Sequence, residues 1–147
     1  MNIKTLSTYI SVMSQDQFER LEDLTLGIPV KSPFSASEIE DLEYKLREKN
    51  KKEELLTTTA TRNNEGRTAE MRGDLATSIR LYEENIATGY LATFSYERLM
   101  VLYKRNKQTN DEIRVVEKAI KDFGKDSRYK KEVEKWRLRL QKISVQK

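Results

Sequence analysis

The chain has 147 residues, with 37% apolar and 35% charged side chains, a formal net charge of +4, and neither cysteine nor histidine. That length holds one domain, or one domain with an arm, and the low apolar content suits thin helical layers with a large solvated surface. The missing residue types exclude a disulfide framework and thiolate chemistry, and they remove the commonest general base and metal ligand.

Residues 1–13 show no clear period, although Tyr9, Ile10, Val12 and Met13 are apolar or aromatic. With a single Lys4 and no apolar core before a cleavage site, no secretory leader is expected. Ser14 and Gln17 are spaced as a capping box, and Phe18, Leu21 and Leu24 follow on one helical face, which predicts a short helix over 15–24. Gly27, Pro29 and Pro33 end it and make 25–35 a linker. Residues 1–34 therefore read as an N-terminal arm.

Ser35 and Glu38 form a second capping-box pattern, with Ile39, Leu42 and Leu46 at helical spacing behind it. The expected connecting helix, 35–58, is almost entirely charge and amide from Arg47 to Glu54. Such a helix is solvated on most sides there. Thr57, Thr58 and Thr59 are β-branched and mark a place for a kink or break.

From Thr59 to Asp126 the chain repeats with a period of 34 residues. Ile79, Arg80, Glu83 and Ile86 meet Ile113, Arg114, Glu117 and Ile120, and Leu81 meets Val115. A fixed period of this length is the mark of stacked helical hairpins. The units are 59–92 and 93–126, with helices predicted over 60–72, 75–88, 94–106 and 109–123. Gly73 opens the first tight turn, and Gly89 and Gly124 stand where left-handed helix caps favour glycine. Gly66 inside a helix costs about 1 kcal/mol against alanine, which points to close approach of a neighbouring helix. After Ser127 a last helix extends to about Ser144, with Tyr129, Val133, Trp136, Leu140 and Ile143 as a docking stripe and an outer face of lysine and arginine.

Within the repeat, Gly66, Ala69, Gly73-Asp74, Ser78, Tyr82 and Ile86, then Met100, Tyr103, Lys107-Gln108, Glu112, Val116 and Ala119-Ile120, stand at the signature positions of a tetratricopeptide repeat. The second copy lacks the turn glycine and carries Glu112 where a small residue is usual. Tyr90 and Gly124 replace the closing proline. The resemblance covers about half the chain. It implies an all-α fold: antiparallel helical hairpins stacked as a short tetratricopeptide-like array with a capping helix over 127–147.

In such folds the first helices of successive units line a concave groove. Carried over, the lining is Asn63, Asn64, Arg67, Glu70 and Met71 from the first copy. The second supplies Phe94, Glu97, Arg98, Val101, Lys104 and Arg105, and the last helix Lys131, Lys135 and Leu138. Phe94, Arg98, Val101 and Arg105 share a face by spacing alone. Asn63 and Arg67 occupy two places of the carboxylate clamp that some members carry, but the full set is missing.

Charge is uneven along the chain. Residues 1–50 hold six Lys/Arg and nine Asp/Glu, net −3; residues 93–147 hold sixteen and eight, net +8. A basic stretch is a solvated face or marks an anionic partner. No phosphate-binding glycine loop and no base-nucleophile pair is visible, and the carboxylates Glu38, Glu40, Asp41 and Glu43 read as a solvated helix face. The expected function is a non-enzymatic, cofactor-free, cytoplasmic protein-interaction module that binds an acidic or amphipathic peptide in a basic groove. A nucleic-acid binder using the basic C-terminal third and a self-assembling subunit are the alternatives. With two units where arrays generally need three, a second copy of the chain is a further candidate partner. No run near about 18 apolar residues exists, so no membrane partner is expected.

Overall fold

The computed structural model describes residues 2–146. All regular structure among them is helical, with no strand. None of these helices is long and apolar enough to cross a membrane. The chain divides into two compact units, one ending at Glu54 and the other beginning at Leu55.

In the first unit, residues 2–13 hold more structure than their lack of period suggests. Helix α1 (Ile3–Ser7) is capped by Asn2, whose Oδ1 accepts the Thr5 amide at 2.8 Å, and a 3-10 turn follows at Ile10–Val12. Helix α2 (Gln15–Thr25) starts at the expected capping box. The Ser14 hydroxyl accepts the Gln17 amide at 3.2 Å and the Gln17 side chain accepts the Ser14 amide at 3.0 Å. Leu6, Tyr9, Leu21 and Leu42 are buried and form a small core.

Helix α3 (Ala36–Met71) begins with the second expected box, the Ser35 hydroxyl accepting the Glu38 amide at 3.1 Å. Glu38 also receives both Arg20 terminal nitrogens, at 3.1 and 2.6 Å, which ties the start of α3 to α2. The three threonines do not break α3, which runs through them as one helix of 36 residues. A β-branched residue costs only a few tenths of a kcal/mol in a helix, too little by itself to end one.

The second unit holds the end of α3, then α4 (Leu75–Ala87), α5 (Thr93–Arg105), α6 (Thr109–Phe123), a 3-10 turn (Ser127–Tyr129) and α7 (Lys130–Gln146). Three-residue turns join α3 to α4 and α5 to α6, so each pair is an antiparallel hairpin. The two turns share one hydrogen-bond pattern. Gly73 and Asp74 donate to the carbonyls of Glu70 and Ala69; Lys107 and Gln108, 34 residues on, donate to those of Lys104 and Tyr103. Gly73 has φ +78°, and Lys107 takes φ 57° in the same place without being glycine. Gly89 is left-handed as expected, at φ +73°, but Gly124 is not: its φ is −64°. There the chain passes straight into the Ser127–Tyr129 turn, with the Asp126 amide bonding the Phe123 carbonyl at 3.1 Å, so no reversal of handedness is needed.

Phe123 is central to the core of this unit, with edge-on contacts to Tyr96, Tyr129 and Trp136 at ring-centroid distances of 5.1, 4.7 and 5.2 Å. The stripe of α7 docks as predicted: Val133, Trp136 and Ile143 are buried there. Three buried or half-buried tyrosines end their rings on carboxylates: Tyr82 on Glu70, Tyr96 on Asp122 and Tyr103 on Glu83. A buried ring thus keeps its hydroxyl satisfied at the rim.

Candidate functional site

Helices α5 and α7 flank a groove of about 1160 Å³. Its α5 wall carries Phe94, Glu97, Arg98, Val101 and Lys104; its α7 wall carries Lys131, Glu134, Lys135, Leu138 and Lys142. Met100, Trp136 and Ile143, all buried, reach it from the core. The walls follow from helical spacing: Phe94, Arg98 and Val101 share one face of α5, and Lys131, Lys135, Leu138 and Lys142 share one face of α7 opposite Val133 and Trp136.

Six of the ten residues singled out from the sequence line this groove together: Phe94, Arg98, Val101, Lys131, Lys135 and Leu138. Leu138 is 60% exposed, as its place opposite the docking stripe requires. The other four do not line it. Arg67 is nearest, its guanidinium 5.8 Å from the centroid of the Phe94 ring. Asn64, Met71 and Arg105 are exposed outside the groove, and Met71 is bare at 88%. For Asn64, Arg67 and Met71 the reason is the register of α3: the residues it turns towards α4 and α5 are Asn63, Gly66 and Glu70, so those one position on face solvent, while Arg105 is the last residue of α5, beyond the groove wall.

Two expected lining residues do different work. Asn63 accepts the Asn85 side-chain amide at 2.9 Å and the Ser95 hydroxyl at 2.6 Å, in a polar knot between α3, α4 and α5. Glu70 is the anchor of Arg98, whose Nε and Nη2 donate to its two oxygens at 3.1 and 2.5 Å, and it also accepts the Tyr82 hydroxyl at 2.6 Å. Burial pushes the Glu70 carboxyl up, but the hydrogen bonds from Arg98 and Tyr82 outweigh it and hold the group below its ordinary range. Burial and then Glu70 raise the Tyr82 phenol, which stays a donor. Arg98 therefore lines the groove already paired with Glu70, its side chain 30% exposed.

The same holds on the other side. Glu112 is 4% exposed and receives Nε and Nη2 of Arg139 at 3.0 and 2.8 Å, while Nη2 also reaches the Met100 carbonyl at 3.0 Å. Sequence reading marked Glu112 as a departure at a small-residue position. It did not find Arg139 as the partner, since nothing in a separation of 27 residues announces a pair.

With both arginines neutralised, the available cations of the groove are Lys104, Lys107, Lys131, Lys135 and Lys142. None of the five has a carboxylate at ion-pair distance among the described residues. The groove holds seven cationic side chains against three carboxylates, Glu97, Glu112 and Glu134, so its potential is positive. Chemically it offers three apolar contacts, Phe94, Val101 and Leu138, framed by ammonium donors. Among the described residues no group of carboxylates is placed to hold a metal. No protein-family model, curated protein or solved structure matches this chain.

Proposed function

We propose that the chain is a protein-interaction module of the tetratricopeptide type, without catalytic activity, that binds an acidic or amphipathic segment of another protein along the α5–α7 groove. The observation that carries this reading is the set of five lysines around Phe94, Val101 and Leu138 that have no ion-pair partner among the described residues. Carboxylates of the segment meet the ammonium groups, which speeds encounter, and its apolar side chains cover the three apolar residues, which slows release. The 34-residue period and the matching turns at Gly73 and Lys107 support the family resemblance. An apolar strip between the lysines favours a peptide over a single-stranded nucleic acid, whose bases would ask for exposed aromatic rings to stack on.

Titration with a synthetic peptide that alternates glutamates and leucines tests this. Trp136 is the single tryptophan and reaches the groove, so its fluorescence reports occupancy. Binding is expected, lost in Lys131→Glu with Lys135→Glu and kept in Lys130→Glu with Arg137→Glu, which lie off the groove. Equal losses in both pairs would point to a diffuse field of the kind that nucleic acid reads, with a steep salt dependence.

A further inference from the structure

On α7, Lys131, Lys135 and Leu138 lie at positions i, i+4 and i+7, within about 60° of arc. On α2, Glu19, Asp23 and Leu26 repeat that spacing with the charges reversed. Glu19 is exposed, Asp23 is half-buried, and Leu26, at the C-terminal cap of α2, is 72% exposed. The stripe lies opposite Gln17 and Leu21, the buried residues of α2. Neither acid has an ion-pair partner among the described residues, although Glu19 accepts a hydrogen bond from the Gln15 side chain. The Leu26 side chain, at the end of this acidic stripe, buries little apolar surface in its own unit.

We propose that a second copy of this chain occupies the groove, laying the outer face of its α2 along α7. The inference rests on the groove being a docking surface, and it names the partner. Both triplets advance about 6 Å and then about 4.5 Å along their axes, so a parallel alignment sets Glu19 against Lys131, Asp23 against Lys135 and Leu26 against Leu138. The bulk charges agree, with net −3 in residues 1–50 and net +8 in residues 93–147. Pairing of like spacing with opposite charge also disfavours the competing α2–α2 and α7–α7 contacts. Each copy has one such helix and one groove, so the contact joins unlike surfaces. It closes into a dimer if reciprocal and extends into longer assemblies if not.

The test is light scattering of the full chain over a range of concentration. The average mass is expected to rise with concentration at low salt and to fall back towards the monomer as salt is added. Glu19→Lys with Asp23→Lys, or Lys131→Glu with Lys135→Glu, should each weaken association by at least about tenfold. Mixing the two double variants should restore it, because the reversed α2 of one fits the reversed groove of the other. Helical circular dichroism of each variant guards against a folding defect. A mixture that stays monomeric while both variants keep their fold overturns the proposal, as does a parent chain monomeric at every concentration. Trp136 fluorescence then separates the two readings. If the glutamate-leucine peptide still binds, only self-association falls; if it does not, the groove reading falls with it.

Discussion

The Tyr82 ring occupies the space where a side chain at Gly66 would begin: a Cβ built there would lie 2.5 Å from Cε1 and 2.8 Å from Cζ. The ring is fully buried and its hydroxyl is held by Glu70, so it has little room to swing away. Gly66→Ala gains about 1 kcal/mol of helix propensity but forces α3 and α4 apart. A net loss of about 1–3 kcal/mol is expected from overpacking, read from urea unfolding. A neutral or stabilised variant would show that the ring can yield.

Gly73 and Lys107 occupy the same left-handed turn position of the two hairpins. A β-branched side chain is strained there by about 1–2 kcal/mol, so Gly73→Val should lower stability by that amount. Lys107→Gly should do the opposite. Relief of strain exceeds the added entropy of the unfolded chain, and a gain of about 0.5 kcal/mol is expected. Paired unfolding midpoints check both signs.

Glu112 is the more deeply buried partner of Arg139, whose side chain remains 29% exposed. Removing the cation strands a buried carboxylate, so Arg139→Met should cost about 3 kcal/mol. Adding Glu112→Gln to that variant removes the stranded charge and should recover part of the loss. If the double variant is no better than Arg139→Met, packing and not charge dominates the site.

Arg98 and Lys135 both line the groove, yet reversal at each should act differently. Arg98→Glu places a carboxylate against Glu70 and should lower stability measurably. Lys135→Glu, at an exposed position, should change it by no more than about 0.5 kcal/mol. Thermal unfolding of the two variants side by side separates them. Equal melting temperatures would mean that the Arg98–Glu70 pair is not formed in solution.

The Arg20 side chain, through its hydrogen bonds, holds the Glu38 carboxyl well below its ordinary value of 4.5, at about 2, with further help from Gln17 and the Ser35 amide. The folded-state value is depressed, so the stabilisation is fully present above pH 4.5 and is lost as pH falls from 4.5 towards 2. The carboxyl is 30% exposed, so solvent screening keeps the effect modest and salt-sensitive. Amide protection factors at the start of α3, which normalise exchange to its intrinsic rate, should fall over that window in the parent and be pH-flat there in Glu38→Gln. The same slope in both would assign the acid sensitivity to other carboxylates.

Much of the fold is written locally. The Ser14–Gln17 and Ser35–Glu38 boxes, the left-handed Gly73 and Gly89, the four repeat helices and the docked stripe of α7 all follow from rules that act within about a turn or two of helix. The groove walls were legible for the same reason, since Phe94, Arg98 and Val101, like Lys131, Lys135 and Leu138, share a face by spacing within one helix. Local rules leave open whether a helix ends at Thr57–Thr59, where the propensity penalty is weak, and they failed at Gly124, where the next turn needed no left-handed residue.

The tertiary structure alone decided which of those side chains are available. Arg98 is held by Glu70, 28 residues away, Arg139 by Glu112 at 27, and Asn63 by Asn85 at 22. Composition shows the basic third of the chain but not which cations are already paired. The register of α3 likewise set Asn64, Arg67 and Met71 outside the groove while turning Asn63 and Glu70 inward. Helical periodicity orders residues around one axis. The rotation of that axis against its neighbours is chosen by the fit of Gly66 to Tyr82 and of Phe123 to three rings, contacts that exist only once the helices have packed.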